Sequence, residues 1–307
     1  MARFRSSKTK SDPSFSITYL DHLLSKIQLG ILLTAIVIVP LVVLPESNFI
    51  DITSTPKTTI LRMLGTLQGG VLLSRLVLSF ASADSNTVIE SLQRIKSNGP
   101  VLLILGSVAA VTGVSVISTL FSLLPAQSWW GRVPAAFESG EFTALMYVIL
   151  SISTYVSYRE FNRGNFLWNA LAATAILAGL IGFFQYLGWA PLDISTTHSI
   201  RLTGTNGNPI FFGAMLVVLA PTALGYLISR HQMSSLQNQR YWLAALSIAA
   251  FVLAISLFGT ASRGPWLGGF AGGVTAITLL VIYGRSLINL MPIVVTVIAV
   301  SKHLSRS

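Results

Sequence analysis

Residues 201–230 read RLTGTNGNPIFFGAMLVVLAPTALGYLISR: a polar, glycine-rich lead, then an apolar run that ends on a basic residue. A bilayer core about 30 Å thick is crossed by about 20 apolar residues in a helix. The run over residues 210–228 has that length, and Asn208 followed by Pro209 is the pattern of an N-cap and a first helical position. Similar runs recur along the 307 residues, of which 52% are hydrophobic and 10% charged, with a mean hydropathy of +0.71. Soluble domains carry about 25% charged residues, so this composition points to an integral membrane protein. In lipid the backbone admits only helices or closed barrels, and continuous apolar runs lack the alternation of a barrel strand. The expected fold is all-α and polytopic.

Apolar windows place spans near 27–45, 60–80, 101–122, 142–158, 168–188, 210–228, 241–259 and 266–283, with a shorter ninth at 286–301. Residues 1–26 then form a basic tail, and 27–301 one transmembrane domain of about eight or nine spans. The first run ends in Pro45-Glu46-Ser47-Asn48 rather than a small-residue cleavage site, which makes it a retained span and not a signal peptide. Cytoplasmic segments collect Lys and Arg. With the tail inside, the inner segments hold twelve: Arg3, Arg5, Lys8, Lys10, Lys26, Arg94, Lys96, Arg159, Arg163, Arg230, Arg240 and Arg285. The outer segments hold four: Lys57, Arg132, Arg201 and Arg263. This split favours a cytoplasmic N-terminus. It also accounts for most of the net charge of +10 without a nucleic-acid partner. The absence of cysteine leaves no disulfide or thiolate ligand.

One span, 241–259, separates the runs that begin after Asn208 and after Ser262, so the polar segments preceding those runs emerge on one face, the outer one. In the first segment, Gly204 and Gly207, with Asn206 and Asn208, suit positive φ, and backbone N–H groups can converge there on an anion. The following helix would aim its positive dipole end outward toward whatever Arg201 holds. The second segment, Thr260-Ala261-Ser262-Arg263-Gly264-Pro265-Trp266, repeats the logic with Ser262 and Gly264 available as caps. Guanidinium groups grip phosphate bidentately, so Arg201 and Arg263 are candidate ligands of a diphosphate.

Arg132, in Ser128-Trp129-Trp130-Gly131-Arg132, is a third outer arginine, with Glu138 and Glu141 as expected partners or as a weak acid–base pair. His198, three residues before Arg201, is a candidate base for a sugar hydroxyl. Gln185 is a polar residue in an apolar window, suited to a substrate or to another helix. Arg62 and Arg75 fall inside the second span, where snorkelling is the expected explanation. The four histidines are scattered and nothing reads as a Walker loop, so neither a metal nor a nucleotide cofactor is expected.

At these places the chain resembles the O-antigen ligase and polymerase family of bacterial membrane proteins. The resemblance rests on Arg201–Pro209 ahead of a span, on Gly182-Phe183-Phe184-Gln185-Tyr186-Leu187-Gly188, on Ser262-Arg263-Gly264-Pro265-Trp266-Leu267-Gly268 and, more loosely, on Trp130-Gly131-Arg132. It covers about residues 120–285. It implies a GT-C-like membrane domain in the bacterial plasma membrane that moves a glycan from undecaprenyl pyrophosphate to a sugar or lipid-linked acceptor at the outer face, without cofactor. It would assign Arg201 and Arg263 to the pyrophosphate leaving group, beside Arg132, Asn208, Gln185 and Ser262 as substrate-binding candidates from the residues themselves. In the family a histidine in a large outer loop, beyond the spans seen here, is thought to activate the acceptor. His198 does not match that position, and the resemblance implies a chain continuing past Ser307. Some relatives are labelled bicarbonate transporters, which leaves a small-anion transporter as the alternative.

Overall fold

A computed structural model describes residues 13–44, 53–81, 93, 98–132, 137–161, 165–189 and 201–282. Among them the chain forms α1 (Pro13–Leu41), α2 (Ser54–Ala81), α3 (Gly99–Leu120), the short α4 (Pro125–Trp130), a 3-10 turn (Phe137–Ser139), α5 (Glu141–Glu160), α6 (Asn165–Tyr186), α7 (Pro209–Met233), α8 (Leu236–Gly259) and α9 (Arg263–Ile282), and no strand. Each of the first eight expected spans coincides with one of these helices. The ninth, 286–301, lies outside the described residues. Among the described residues six helices are long and apolar enough to cross a membrane: α1 from Tyr19, α2, α3, α6, α7 and α8 from Asn238. The chain is an all-α, polytopic membrane protein.

The tail boundary expected at residue 26 falls within a helix, because α1 begins at Pro13. Apolar windows report the stretch that lipid meets, whereas the helix itself continues through polar residues until something stops it. Proline is tolerated in the first turn, and no second proline follows it before Pro40.

The residues group into two compact units, one formed by Met1–Leu32, Arg62–Trp130 and Gly140–Gly164, the other by Leu33–Leu61, Gly131–Ser139 and Asn165–Ser307. In the second unit α6, α7 and α8 pack on one another, with α9 mainly against α7. Ala172, Ala175, Ala178, Phe212, Leu216 and Leu253 form its core. Small residues bring α6 and α8 close: a Cβ on Gly182 would lie 2.7 Å from Ser256 Oγ and 2.9 Å from the Phe212 ring. The Ser256 hydroxyl donates to Gly179 O at 2.7 Å. This is the small-residue and hydroxyl packing that lets helices associate in lipid, where burial of apolar surface supplies no drive.

Pro40 has no N–H, so it leaves the carbonyl of Ile36 without a helical partner. The Thr174 hydroxyl of α6 approaches that carbonyl at 3.1 Å, and also its own i−4 carbonyl at 2.8 Å. An unsatisfied carbonyl in lipid is costly, so this contact fixes where α1 meets α6.

In the first unit, α3 and α4 contact α5. Of α3 only Thr119 is buried, and its Leu103, Ile104, Val111 and Val114 are exposed, as suits a lipid-facing helix. Beside the buried Met146 and Val156, the unit encloses a polar network. Arg75 is 1% exposed and does not snorkel: Nε donates to Asp21 Oδ1 at 2.8 Å, one terminal nitrogen lies 3.0 Å from Glu160 Oε2, and Nη1 donates to Gln28 Oε1 at 2.7 Å. Gln28 in turn donates to Ser153 O at 3.4 Å, and Gln68 donates to Gln28 O at 3.2 Å. Arg62 is buried too, its Nε donating to Thr143 Oγ1 at 2.9 Å and its Nη2 to Trp130 O at 2.8 Å, with Phe142 beneath the guanidinium. Snorkelling fails for both arginines because neighbouring helices supply partners at the same depth.

Two stability changes follow. Gly182→Leu should push α6 off α8 and lower stability by about 1–3 kcal/mol, read as an earlier unfolding midpoint in detergent. Arg75→Leu should leave two carboxylates without their cation and cost about 3–5 kcal/mol, with Arg75→Leu/Asp21→Asn/Glu160→Gln recovering part of the loss in the same assay.

Candidate anion site

The two motif segments meet. Leu202 N donates to Gly259 O at 2.9 Å, and Arg201 reaches across, Nε to Thr260 O at 3.0 Å and Nη2 to Ser262 Oγ at 2.8 Å. A Cβ on Gly259 would stand 2.4 Å from Leu202 Cδ1, and one on Gly213 would stand 2.8 Å from Pro265, so glycine is required for the segments to approach this closely. Arg201 and Arg263 are exposed, and Arg263 makes no hydrogen bond or ion pair with a described residue. The Arg201 acceptors are neutral. Its positive charge, like that of Arg263, is thus left uncompensated by the groups it bonds.

The expected N-cap is present: Asn208 Oδ1 accepts from Ile210 N at 2.9 Å, and Pro209 opens α7. Both loop glycines adopt the left-handed region, Gly204 at φ 54° and Gly207 at φ 64°. At Gly204 a Cβ would also strike the Phe212 ring at 2.2 Å. Two of the N–H groups expected to face an anion are taken internally, however. Gly204 N donates to Gln185 Oε1 at 2.9 Å and Asn206 N to Thr203 O at 3.1 Å. These two N–H groups are therefore not free to receive an anion.

Gln185 completes a reciprocal pair, its Nε2 donating to Gly204 O at 3.3 Å. Its amide therefore seats the loop. Ser262 is 2% exposed and turns its hydroxyl to Thr260 O at 3.1 Å rather than to the first N–H groups of α9, so the expected cap is replaced by a hinge between Arg201 and the α8 end. Ser262 O instead accepts from Trp266 N at 3.2 Å. The Trp266 ring packs on Phe258 at 6.0 Å between centroids and donates through Nε1 to Leu257 O at 3.1 Å.

Arg132 is exposed and is not brought into the Arg201–Ser262 cluster by any hydrogen bond. The carboxylates expected near it bond elsewhere, Glu138 accepting from Ser54 and Glu141 from Ser115. His198 lies outside the described residues. The residue that sequence reasoning missed is Lys57, whose Nζ donates to Pro40 O, Thr205 Oγ1 and Asn206 Oδ1. Its only signal is its place among the four outer basic residues.

The turn that ends α8 carries strain. Thr260 N donates to Leu257 O and Ala261 N to Phe258 O, and Ala261 takes φ 47°, a left-handed closure usually given to glycine. Conformations of this kind cost about 1–3 kcal/mol and persist where the surroundings over-determine them.

Comparisons with protein-family models, curated proteins and solved structures found no match. The site is therefore read from its own chemistry. Ala261→Val should clash in the left-handed region and lower thermal stability by about 1–2 kcal/mol, whereas Ala261→Gly should be near neutral.

Proposed function

We propose that the chain transfers a glycan from an undecaprenyl-pyrophosphate carrier to a sugar acceptor at the outer face of the bacterial plasma membrane, in the manner of the O-antigen ligases and polymerases it resembles, with the N-terminus cytoplasmic. The observation that carries this reading is the convergence of Arg201 on Thr260 O and Ser262 Oγ, which joins the two arginine-bearing segments at the start of α9. The charge that develops in such a transfer lies on the departing diphosphate. A guanidinium donor held in place before reaction, as Arg201 is, together with a helix N-terminus, lowers the barrier because it needs no reorganisation as that charge grows.

The chemistry is displacement at the anomeric carbon. The acceptor hydroxyl oxygen forms the new glycosidic bond, the bond to the diphosphate oxygen breaks, the electron pair leaves with the carrier, and the hydroxyl proton passes through water to the departing diphosphate. Arg201 and Arg263 bind the leaving group in this scheme, and Asn208 and Gln185 hold the scaffold that presents Arg201.

Arg201→Ala and Arg263→Ala should each reduce glycan transfer by about 10²–10³ while insertion into the membrane is unchanged, as expected for loss of a charge-stabilising donor. Transfer is read from lipid-linked glycan consumed and product formed in membranes. Normal product in both variants rejects the assignment. Bicarbonate uptake into proteoliposomes that disappears in the same variants favours the anion-transport alternative. Against that alternative, transporter sites usually lie near the midplane on broken helices, whereas both arginines here flank helix starts.

A further inference from the structure

Lys57 sits in the first turn of α2, 148 and 149 residues before Thr205 and Asn206, yet its ammonium group reaches both side chains and Pro40 O, the last at 2.8 Å. An ammonium has three donors, and three acceptors are in place for them. Pro40 O also accepts from Thr205 Oγ1 at 2.7 Å, which closes a ring of contacts from α1 through Lys57 to the loop. The C-terminal carbonyls of a helix carry the negative end of its dipole, so a lysine is favoured there over a neutral donor.

The loop between Arg201 and Asn208 is thereby held from several sides. Gln185 pins Gly204, Lys57 pins Thr205 and Asn206, and Gly207 stands against Thr53, where a Cβ would meet Cγ2 at 3.0 Å. Arg201 at one end and the Asn208 cap at the other have their positions set by these contacts.

We propose that Lys57 is a positioning residue for the anion site: it holds the loop on the end of α1 so that Arg201 presents its guanidinium beside the start of α9. This rests on the reading of Arg201 and Arg263 as diphosphate ligands. Lys57 does not touch the ligand in this role; it acts through Thr205 and Asn206.

The test uses the full chain in lipid nanodiscs, with inorganic pyrophosphate as the probe. In Lys57→Met, amide exchange over residues 201–208 without ligand should accelerate while residues 246–255 of α8 keep their protection. Pyrophosphate affinity by calorimetry should fall about tenfold to a hundredfold, by analogy with the loss of a residue that orients a metal ligand. Thr205→Val should lower affinity too, and should add little in the Lys57→Met background, since both changes dismantle one cluster. Lys57→Arg should restore part of the protection.

Unchanged affinity in Lys57→Met, with or without faster exchange, overturns the positioning role, while binding by the wild type that Arg201→Ala abolishes would leave the site reading intact. A wild-type chain that does not bind pyrophosphate removes the site itself, and this proposal with it.

Discussion

α1 ends with carbonyl groups that the helix cannot satisfy from within, Ile36 O because Pro40 lacks an N–H and Pro40 O because the helix stops one residue later, and such groups need donors from elsewhere when they are withdrawn from water. The second unit is arranged around that need. Ile36 O takes the Thr174 hydroxyl, which fixes α6 against α1. Pro40 O takes Lys57 and Thr205, which fixes the 201–208 loop on the same helix end. Backbone satisfaction thus decides where the loop sits before any ligand is considered.

Once the loop is seated, its remaining freedom is removed by close contacts that only glycine permits. The Phe212 ring occupies the volume a side chain on Gly204 would need, and Leu202 occupies that of Gly259. The α8 end closes through a left-handed alanine, and the turn it makes presents Thr260 O and Ser262 Oγ to Arg201. An arginine held by two neutral acceptors keeps its charge and loses its mobility. That combination favours binding of an anion, because the entropy of ordering a long side chain is met in folding and not on association.

The helices were legible because hydropathy adds along a continuous run, and the α7 start was legible because Asn-Pro followed by an apolar run is a local signal. Parity places the two motifs on one face, and the structure puts the segments in contact. What could not be read is every polar contact between distant helices. Nothing local marks Asp21 and Glu160 as the partners of Arg75, or Pro40 as the acceptor of Lys57. Ser262 looked like a cap by its position, yet an arginine 61 residues away engages its hydroxyl, which itself points to a carbonyl. Side-chain hydroxyls at helix ends have several donors and acceptors within reach, and tertiary contacts choose among them.

The arginines divide by what surrounds them, and the division bears on function. Arg75 is buried between two carboxylates, so its charge is answered within the fold and its removal is a matter of stability. Arg62 is buried as well and joins α2 to the Trp130 carbonyl and to α5. Arg201 and Arg263 are exposed, and no ion pair with a described residue neutralises either one. A surface arginine with neither burial nor a partner is ordinarily free to move, but Arg201 is held in place by Thr260 and Ser262. Fixing an uncompensated cation contributes little to stability, since two neutral acceptors offset only part of the ordering cost. It contributes much to binding a multiply charged anion, and this asymmetry is the physical ground for looking to Arg201 for function.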